Sequence, residues 1–114
     1  MRKLSKTFQA LSDTNRLRIL KMLEVRPLCV CEIAAILQLA NSTVSKHLSI
    51  LRDAEFILDE KDGKWVNYYL NDIKENEFAA KLLPLIADWM PEDKLISEDR
   101  KKVDKVDRNI ICGS

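Results

Sequence analysis

The chain has 114 residues, of which 46% are apolar and 32% are charged, so it is long enough for one compact domain with an ordinary core. No apolar run approaches the ~18 residues that cross a bilayer, and we therefore expect a cytoplasmic protein with no membrane partner. The formal net charge of +1 divides into +5 over residues 1–53 and −4 over residues 54–114. A basic front half suits contact with phosphate groups.

The first part of the sequence predicts two helices that serve as scaffold. Leu4, Phe8 and Leu11 recur at helical spacing. Thr14 can cap a second helix, which carries an apolar stripe and which Pro27 ends. These helices carry no evident chemistry of their own.

Two further helices are joined by only three residues, a spacing typical of a helix-turn-helix. The first is predicted from Cys29 to Gln38 and the second from about Ser42 to Asp53, with Leu39-Ala40-Asn41 as the turn. In the second helix Val44 and Leu48 lie on the buried side. The opposite side is small, polar and basic, as a helix that enters the major groove requires.

A β-hairpin is predicted after these helices. Two segments rich in β-branched and aromatic residues, Phe56 to Lys61 and Lys64 to Leu70, flank Asp62-Gly63 as a two-residue turn. The order of helices followed by a Gly-turned hairpin predicts a mainly α fold with a small β-hairpin, the winged helix-turn-helix. This order favours DNA binding over the alternative, a merely solvated polar helix face.

The predicted DNA contacts come from the fourth helix and the hairpin tip. Short polar side chains can approach base edges closely, and cations at the tip can reach phosphates or the minor groove. His47 lies at the edge of the buried stripe, so a structural or phosphate-contacting role is favoured over metal binding. The residues concerned are Asn41, Ser42, Thr43, Ser45, Lys46, His47, Ser49, Arg52, Lys61 and Lys64.

The three cysteines favour free thiols over a disulfide framework in a reducing compartment. Cys29 and Cys31 lie at the start of the third helix, and thiolates are soft ligands for ions such as As(III), Sb(III), Cd(II) and Pb(II). Residues i and i+2 point apart on a helix or a strand, so capture of one ion by both thiols requires an irregular or unwound first turn. Ion binding and DNA binding are then antagonistic. Buried structural cysteines and a strained Cys29–Cys31 redox switch are the alternatives.

The C-terminal part is expected to divide at about residue 90. A last long helix before that point has an apolar side, with Phe78 and Trp89, that exceeds what one small domain needs. Residues 91–114 form a charged tail, expected to be partly helical or mobile, and this tail carries Cys112.

Taken together, these motifs resemble the ArsR family of metalloregulatory repressors over about Leu11 to Leu70. The resemblance implies a homodimer held by the terminal helices, repression of a resistance operon at double-stranded operator DNA, and derepression by the ion. Residues 1–90 then form the DNA-binding and dimerisation domain. The likeness rests on four segments, Asp13 to Leu20, Leu28 to Ile33, Ser42 to Arg52 and Asp62 to Tyr69.

By position, the resemblance makes Cys29 and Cys31 the inducer ligands. Ala34 stands where enteric arsenic repressors have a third cysteine, and no cysteine precedes Cys29 as in cadmium-type sensors. We expect Cys112 to complete a three-sulfur site within or across the dimer, with a non-coordinating thiol as the alternative. Three thiolates suit As(III) or Sb(III) as inducer, and Cd(II) or Pb(II) is the alternative. With no histidine after His47, the zinc site that some members carry on the last helix is not expected.

The sequence does not favour an enzyme. Its single histidine lies in the predicted DNA-facing helix, and there is no Gly-rich phosphate loop and no nucleophile with an evident base. Two other functions share the fold, a protein-interaction module and a repressor that senses oxidants through the same cysteines.

Overall fold

The computed structural model describes residues 1–72 and 77–111. The three strands form one antiparallel sheet in the order β1-β3-β2, and the predicted winged helix-turn-helix is confirmed. In these ranges no helix combines the length and apolar character of a membrane span. The elements are α1 (Arg2–Leu11), α2 (Thr14–Leu23), β1 (Leu28–Cys29), α3 (Val30–Leu37), α4 (Asn41–Asp53), β2 (Ile57–Asp62), β3 (Trp65–Leu70), α5 (Glu77–Asp88), α6 (Lys94–Lys105) and α7 (Arg108–Ile111).

One apolar core fixes α4 against the rest of the domain. Val44, Leu48 and Leu51 are fully buried, as their i, i+4, i+7 spacing predicts. They belong to the same cluster as Ile33 of α3 and Phe56 before the wing. Burial of each large side chain contributes roughly 1.5–3 kcal/mol. The outward side of α4 is therefore held at a fixed angle to the wing, the hairpin formed by β2 and β3.

The start of α2 differs from the prediction by one residue. The cap is Asp13 rather than Thr14, because the Asp13 carboxylate accepts the backbone N–H of Asn15 at 2.8 Å and that of Arg16 at 3.2 Å. The sequence showed where the helical pattern breaks before α2, but both Asp13 and Thr14 were able to cap the helix.

The turn of the wing is also shifted by one residue. Asp62 still pairs with Trp65 in the ladder, so the two turn residues are Gly63 and Lys64 rather than Asp62-Gly63. Gly63 adopts φ +61°, a left-handed conformation that glycine reaches without steric cost. The turn remains a two-residue hairpin of the predicted kind.

The strand β1 was not predicted. It pairs with β3, with Leu28 opposite Tyr68 and Cys29 opposite Asn67. Two residues are too few to show the alternation by which a strand is recognised in a sequence. Consequently the third helix does not begin at Cys29, which has extended backbone angles (φ −93°, ψ 169°) and is the N-cap of α3.

The helix α6 is anchored on α2 by a buried ion pair. Arg18 Nε donates to Asp99 Oδ2 at 2.8 Å and Arg18 Nη2 to Asp99 Oδ1 at 3.0 Å, and the Asp99 side chain is fully buried. Val103 of the same helix belongs to the core. Residues 94–105 are therefore packed against the domain; the expected boundary at residue 90 stays a prediction.

The end of α5 is held by a buried lysine of α2. Lys21 Nζ donates to the carbonyl oxygens of Ile86, Ala87 and Trp89 at 3.0, 3.2 and 3.1 Å, and it pairs with Glu24 at 3.1 Å. A cation is favourable at this end of a helix, where carbonyl groups lack intrahelical partners. The contact fixes α5 relative to α2.

Candidate nucleic-acid interface and thiol site

The outward side of α4 presents the polar residues singled out in the sequence. His47 is half-buried, whereas the other predicted residues of this helix are exposed. Val44, Leu48 and Leu51 of α4 face the core, and Ile50 is the exposed apolar residue beside the polar ones. The exposed members are Asn41, Ser42, Thr43, Ser45, Lys46, Ser49 and Arg52.

His47 is connected to α1 through Arg16. Arg16 Nη1 lies 3.2 Å from His47 Nδ1, Arg16 Nε donates to the Ala10 carbonyl at 2.8 Å, and Arg16 Nη2 donates to the Gln9 carbonyl at 3.1 Å. Because a guanidinium only donates, Nδ1 of His47 is the acceptor in this contact. One side chain thus joins the end of α1 to the helix predicted to read DNA.

Arg52, at the end of α4, is paired with the wing. Its Nε lies 3.0 Å from Asp59 Oδ1 of β2, and its side chain is 56% exposed. Exposed pairs of this kind contribute about 0–1 kcal/mol. The guanidinium can therefore exchange Asp59 for a phosphate at low cost.

The wing carries its exposed cations beside a tryptophan. Lys61 and Lys64 are exposed, and Lys64 Nζ lies 4.8 Å from the ring centroid of Trp65. The guanidinium carbon of Arg108, from α7, lies 5.3 Å from the same centroid. A C-terminal side chain therefore reaches the hairpin, a contact that was not predicted from the sequence.

The two predicted thiol residues flank the start of α3. Cys29 is buried, and Cys31, in the first turn of the helix, is half-buried. Burial raises the pKa of the Cys29 thiol above its ordinary value, and the nearby Glu32 carboxylate adds to this, although a hydrogen bond from the Glu32 N–H opposes it. Cys29 is therefore a protonated thiol in the ion-free protein at neutral pH.

A relay of polar contacts, formed by Cys29, Glu32 and Arg26, connects the thiol turn to the end of α6. Glu32 Oε1 accepts the Cys29 N–H at 3.0 Å, and Glu32 Oε2 accepts from Arg26 Nη2 at 3.1 Å. The same Nη2 donates to the carbonyl oxygens of Val103 at 3.0 Å and Val106 at 3.1 Å. The cap of α3 is thus linked to the last turn of α6 through the buried Glu32 carboxylate and the guanidinium of Arg26.

The described residues supply soft donors but not a complete trigonal site. Within 1–72 and 77–111, no three His, Cys, Asp or Glu side chains come together as a metal-binding group. Cys29 is a free thiol, whereas Cys31 is disulfide-bonded, so the expectation of free thiols is wrong for Cys31. Once reduced, both sulfurs are soft donors that fit a thiophilic ion better than a hard one. Cys112 lies outside the described residues, so its part in a three-sulfur site stays a prediction.

Several polar contacts of the site were not predicted from the sequence, and only some of them have a local sequence signal. Glu32 had a local signal, an acid three residues after an N-cap, as in a capping box. Arg16, Arg26 and Arg108 had none, because their partners lie as far as 31, 80 and 46 positions away. Only the folded chain brings those groups together.

Comparisons with known proteins agree with this architecture. The profile of the family described as "Bacterial regulatory protein, arsR family" matches residues 13–58. The arsenical resistance operon repressor of Escherichia coli is 34% identical over 108 residues, covering 90% of this chain and 80% of that protein. The repressor of the same name from Bacillus subtilis is 42% identical over 84 residues, covering 73% and 80%. The solved structure of the cadmium metal-sensor CMTR from Mycobacterium tuberculosis has a TM-score of 0.54 at 34% identity, covering 71% and 81%.

Proposed function

The chain belongs to the arsR family of bacterial regulatory proteins, transcriptional repressors rather than enzymes, and we propose that it leaves its operator DNA when As(III) or Sb(III) binds Cys29 and Cys31. The observation that carries this proposal is the place of the two cysteines, both of which are thiols in the reduced protein. Cys29 is the N-cap of α3, the first helix of the helix-turn-helix, and Cys31 is in its first turn. An ion held there acts directly on the element that positions α4.

Ion capture changes the backbone at this turn. One ion with bonds of about 2.3 Å to each sulfur brings the two sulfurs within about 4 Å. Cys29 has extended backbone and pairs with Asn67 of β3, whereas Cys31 is helical. Drawing the thiols together therefore disturbs both the cap of α3 and the edge of the wing. A coupling of about 1–3 kcal/mol lowers DNA affinity about 5–150-fold.

The choice of ion follows from the donors and the relatives. The similarity to two arsenical resistance operon repressors supports As(III) or Sb(III). Cys112 is the candidate for a third sulfur in a trigonal site, with a non-coordinating thiol as the alternative. Cd(II) or Pb(II) is the second candidate, supported by the similarity to a cadmium sensor.

The proposed DNA surface is the outward side of α4 together with the wing. Small polar side chains of α4 face base edges, and Lys46, Arg52, Lys61 and Lys64 face phosphates. Basic and hydroxyl groups on these elements are exposed, as this role requires. The α4 residues of this proposed DNA surface are Asn41, Ser42, Thr43, Ser45, Lys46, His47, Ser49 and Arg52.

We propose that the working form is a homodimer formed through α1 and α5. Phe8 of α1 is 55% exposed, and on α5 Leu85 is 48% exposed. Trp89, just beyond α5, is 46% exposed. Such an apolar surface is typical of an interface. Two-fold symmetry then places one α4 on each half-site of the operator.

The test is a titration of the reduced protein bound to fluorescent DNA from its own promoter. As(III), Sb(III), Cd(II) and Pb(II) are compared, with Zn(II) as the control ion, in the native chain and in Cys29→Ser, Cys31→Ser and Cys112→Ser variants. We expect release by micromolar As(III) that is lost in the first two variants. The Cys112→Ser variant shows whether two sulfurs suffice. Release by a mild oxidant but by no ion would instead identify a redox switch.

A further inference from the structure

We propose that Arg108 is a positioning residue of the wing, so that the C-terminal helix α7 is part of the DNA-binding machinery. We call Arg108 with Asp62, Trp65 and Asn67 the wing clamp. The proposal rests on the DNA-binding part of the proposed function and does not depend on which ion is the inducer.

The clamp holds both strands of the wing with one guanidinium. Arg108 Nη2 donates to Asp62 Oδ2 of β2 at 2.9 Å, and Arg108 Nη1 donates to Asn67 Oδ1 of β3 at 2.7 Å. The guanidinium also lies over the ring of Trp65. The Arg108 side chain is only 23% exposed. The planar guanidinium bonds two acceptors and stacks on a ring, so it fixes the relative orientation of the two strands. A single exposed ion pair would not do so.

The clamp also changes the charge of the wing tip. Glu60 and Asp62 offset Lys61 and Lys64, so the tip on its own has no net charge. The Asp62 side chain is 58% exposed and repels phosphate when it is unpaired. Paired with Arg108, it no longer opposes the two lysines, and the tip with its clamp is net positive.

The clamp is tied to the thiol turn at two points. Asn67 lies opposite Cys29 in the sheet. The helix α7 packs against α3 and starts two residues after Val106, whose carbonyl Arg26 holds together with Glu32. A displacement of the thiol turn therefore reaches the wing both through β3 and through α7. In the route through α7, Arg108 is the side chain that contacts the wing.

The experiment is a double-mutant cycle on the full chain, reduced and ion-free, with promoter DNA binding measured by fluorescence anisotropy. Arg108→Gln is expected to weaken binding about fivefold in the native background and less than twofold when Asp62 is already Asn, because contacting residues couple. The matched control is Lys101→Gln, an exposed cation of α6 away from the wing. This control removes the same charge and is expected to change binding less than twofold.

An equal loss of DNA affinity in both backgrounds would mean that Arg108 contacts DNA itself. No loss of affinity would mean that the Arg108–Asp62 pair does not affect DNA binding. Either result overturns the clamp. Arg108→Lys is expected to recover only part of the affinity, since an ammonium cannot fork between Asp62 and Asn67. Full recovery of the affinity in Arg108→Lys would mean that only the positive charge matters, which would contradict the clamp.

A second readout follows the wing without DNA. With Trp89 replaced by Phe, the emission of Trp65 is expected to shift in Arg108→Gln and not in Lys101→Gln. Circular dichroism checks that the variants are folded; if Arg108→Gln is not, Arg108→Lys takes its place in the cycle. Failure of the native chain to bind promoter DNA would contradict the proposed function, whereas normal binding with no effect at Arg108 would contradict only the clamp.

Discussion

Glu32 supports the backbone of Cys29, because its carboxylate accepts the Cys29 N–H at 3.0 Å and closes the capping box of α3. The other carboxylate oxygen accepts from Arg26. Since Glu32 is 3% exposed, these bonds form away from competing water. The cap of the first helix of the helix-turn-helix therefore depends on a residue outside both the proposed ion ligands and the proposed DNA surface.

Replacing Glu32 with Gln is expected to lower the free energy of unfolding by about 1.5–3 kcal/mol, the scale of a hydrogen bond to a charged group. The amide keeps the shape of the side chain but loses the charge, and its NH₂ group faces a donor on one side. Urea unfolding followed by circular dichroism measures the change. Glu98→Gln, at an exposed position of α6, is the control. An unchanged midpoint for Glu32→Gln would show that the capping box contributes little.

Replacing Asp99 with Asn is expected to be more damaging. Asp99 is fully buried and holds the guanidinium of Arg18 by two hydrogen bonds. Removing one partner of a buried pair leaves the other charge uncompensated, which costs roughly 3–5 kcal/mol. Thermal and urea unfolding measure this, with the exposed Asp104→Asn as control. A loss under about 1 kcal/mol would show that water compensates Arg18.

The reactivity of Cys29 is expected to show its raised pKa. In the ion-free Cys31→Ser, Cys112→Ser double variant, alkylation of Cys29 by iodoacetamide should be slow at neutral pH. The alkylation rate should still be increasing with pH at values where an ordinary thiol is already ionised. The reason is that burial disfavours the thiolate, which is the reactive form. The same linkage predicts a contribution to stability that is present below the unfolded pKa and lost as pH rises through the folded one. Rates measured in urea give the unfolded reference, and a half-maximal rate at or below that reference would contradict the assignment.

Replacing Lys46 with Gln is expected to weaken DNA binding to all sequences alike. If Lys46 neutralises one phosphate, the slope of log K against log salt becomes smaller by about 0.9. Binding at four salt concentrations gives the slope. Lys81→Gln, an exposed lysine of α5, removes the same charge outside α4 and the wing. A loss confined to the cognate promoter, with the slope unchanged, would place Lys46 on a base instead.

Replacing Leu85 with Glu is expected to yield monomers and to weaken operator binding, because two buried carboxylates would face the two-fold axis. Sedimentation velocity measures the oligomeric state. For the oligomeric state, Ile110→Glu offers a matched control, since Ile110 is 81% exposed and lies on α7, outside the proposed interface. A dimer that survives Leu85→Glu would place the interface elsewhere.

Elements with a regular pattern were predictable from the sequence. The spacing of Val44, Leu48 and Leu51 gave the buried side of α4 and hence the polar side, and Gly63 placed the hairpin within one residue. These signals are local, because one turn of helix or one tight turn is enough to produce them. The strand β1, with two residues, had no such signal.

The contacts that connect the site to the rest of the molecule were not predictable. Arg108 meets Asn67 across 41 positions, and Arg26 meets Val106 across 80. An arginine in a charged tract is as compatible with solvent as with a buried acceptor, so its sequence context does not distinguish the two. Only the packing of α6 and α7 determines which guanidinium finds a partner.

Lys21 of α2, which binds the carbonyl groups at the end of α5, reports how long α5 stays packed against α2. Acylating reagents attack an amine only when it is deprotonated and accessible, whereas the amine of Lys21 is buried and donates to three carbonyl groups. Its labelling therefore has to wait until α5 separates from α2. Followed by mass spectrometry beside the exposed lysines, the delay at Lys21 measures how often α5 separates from α2 within one chain of the native protein.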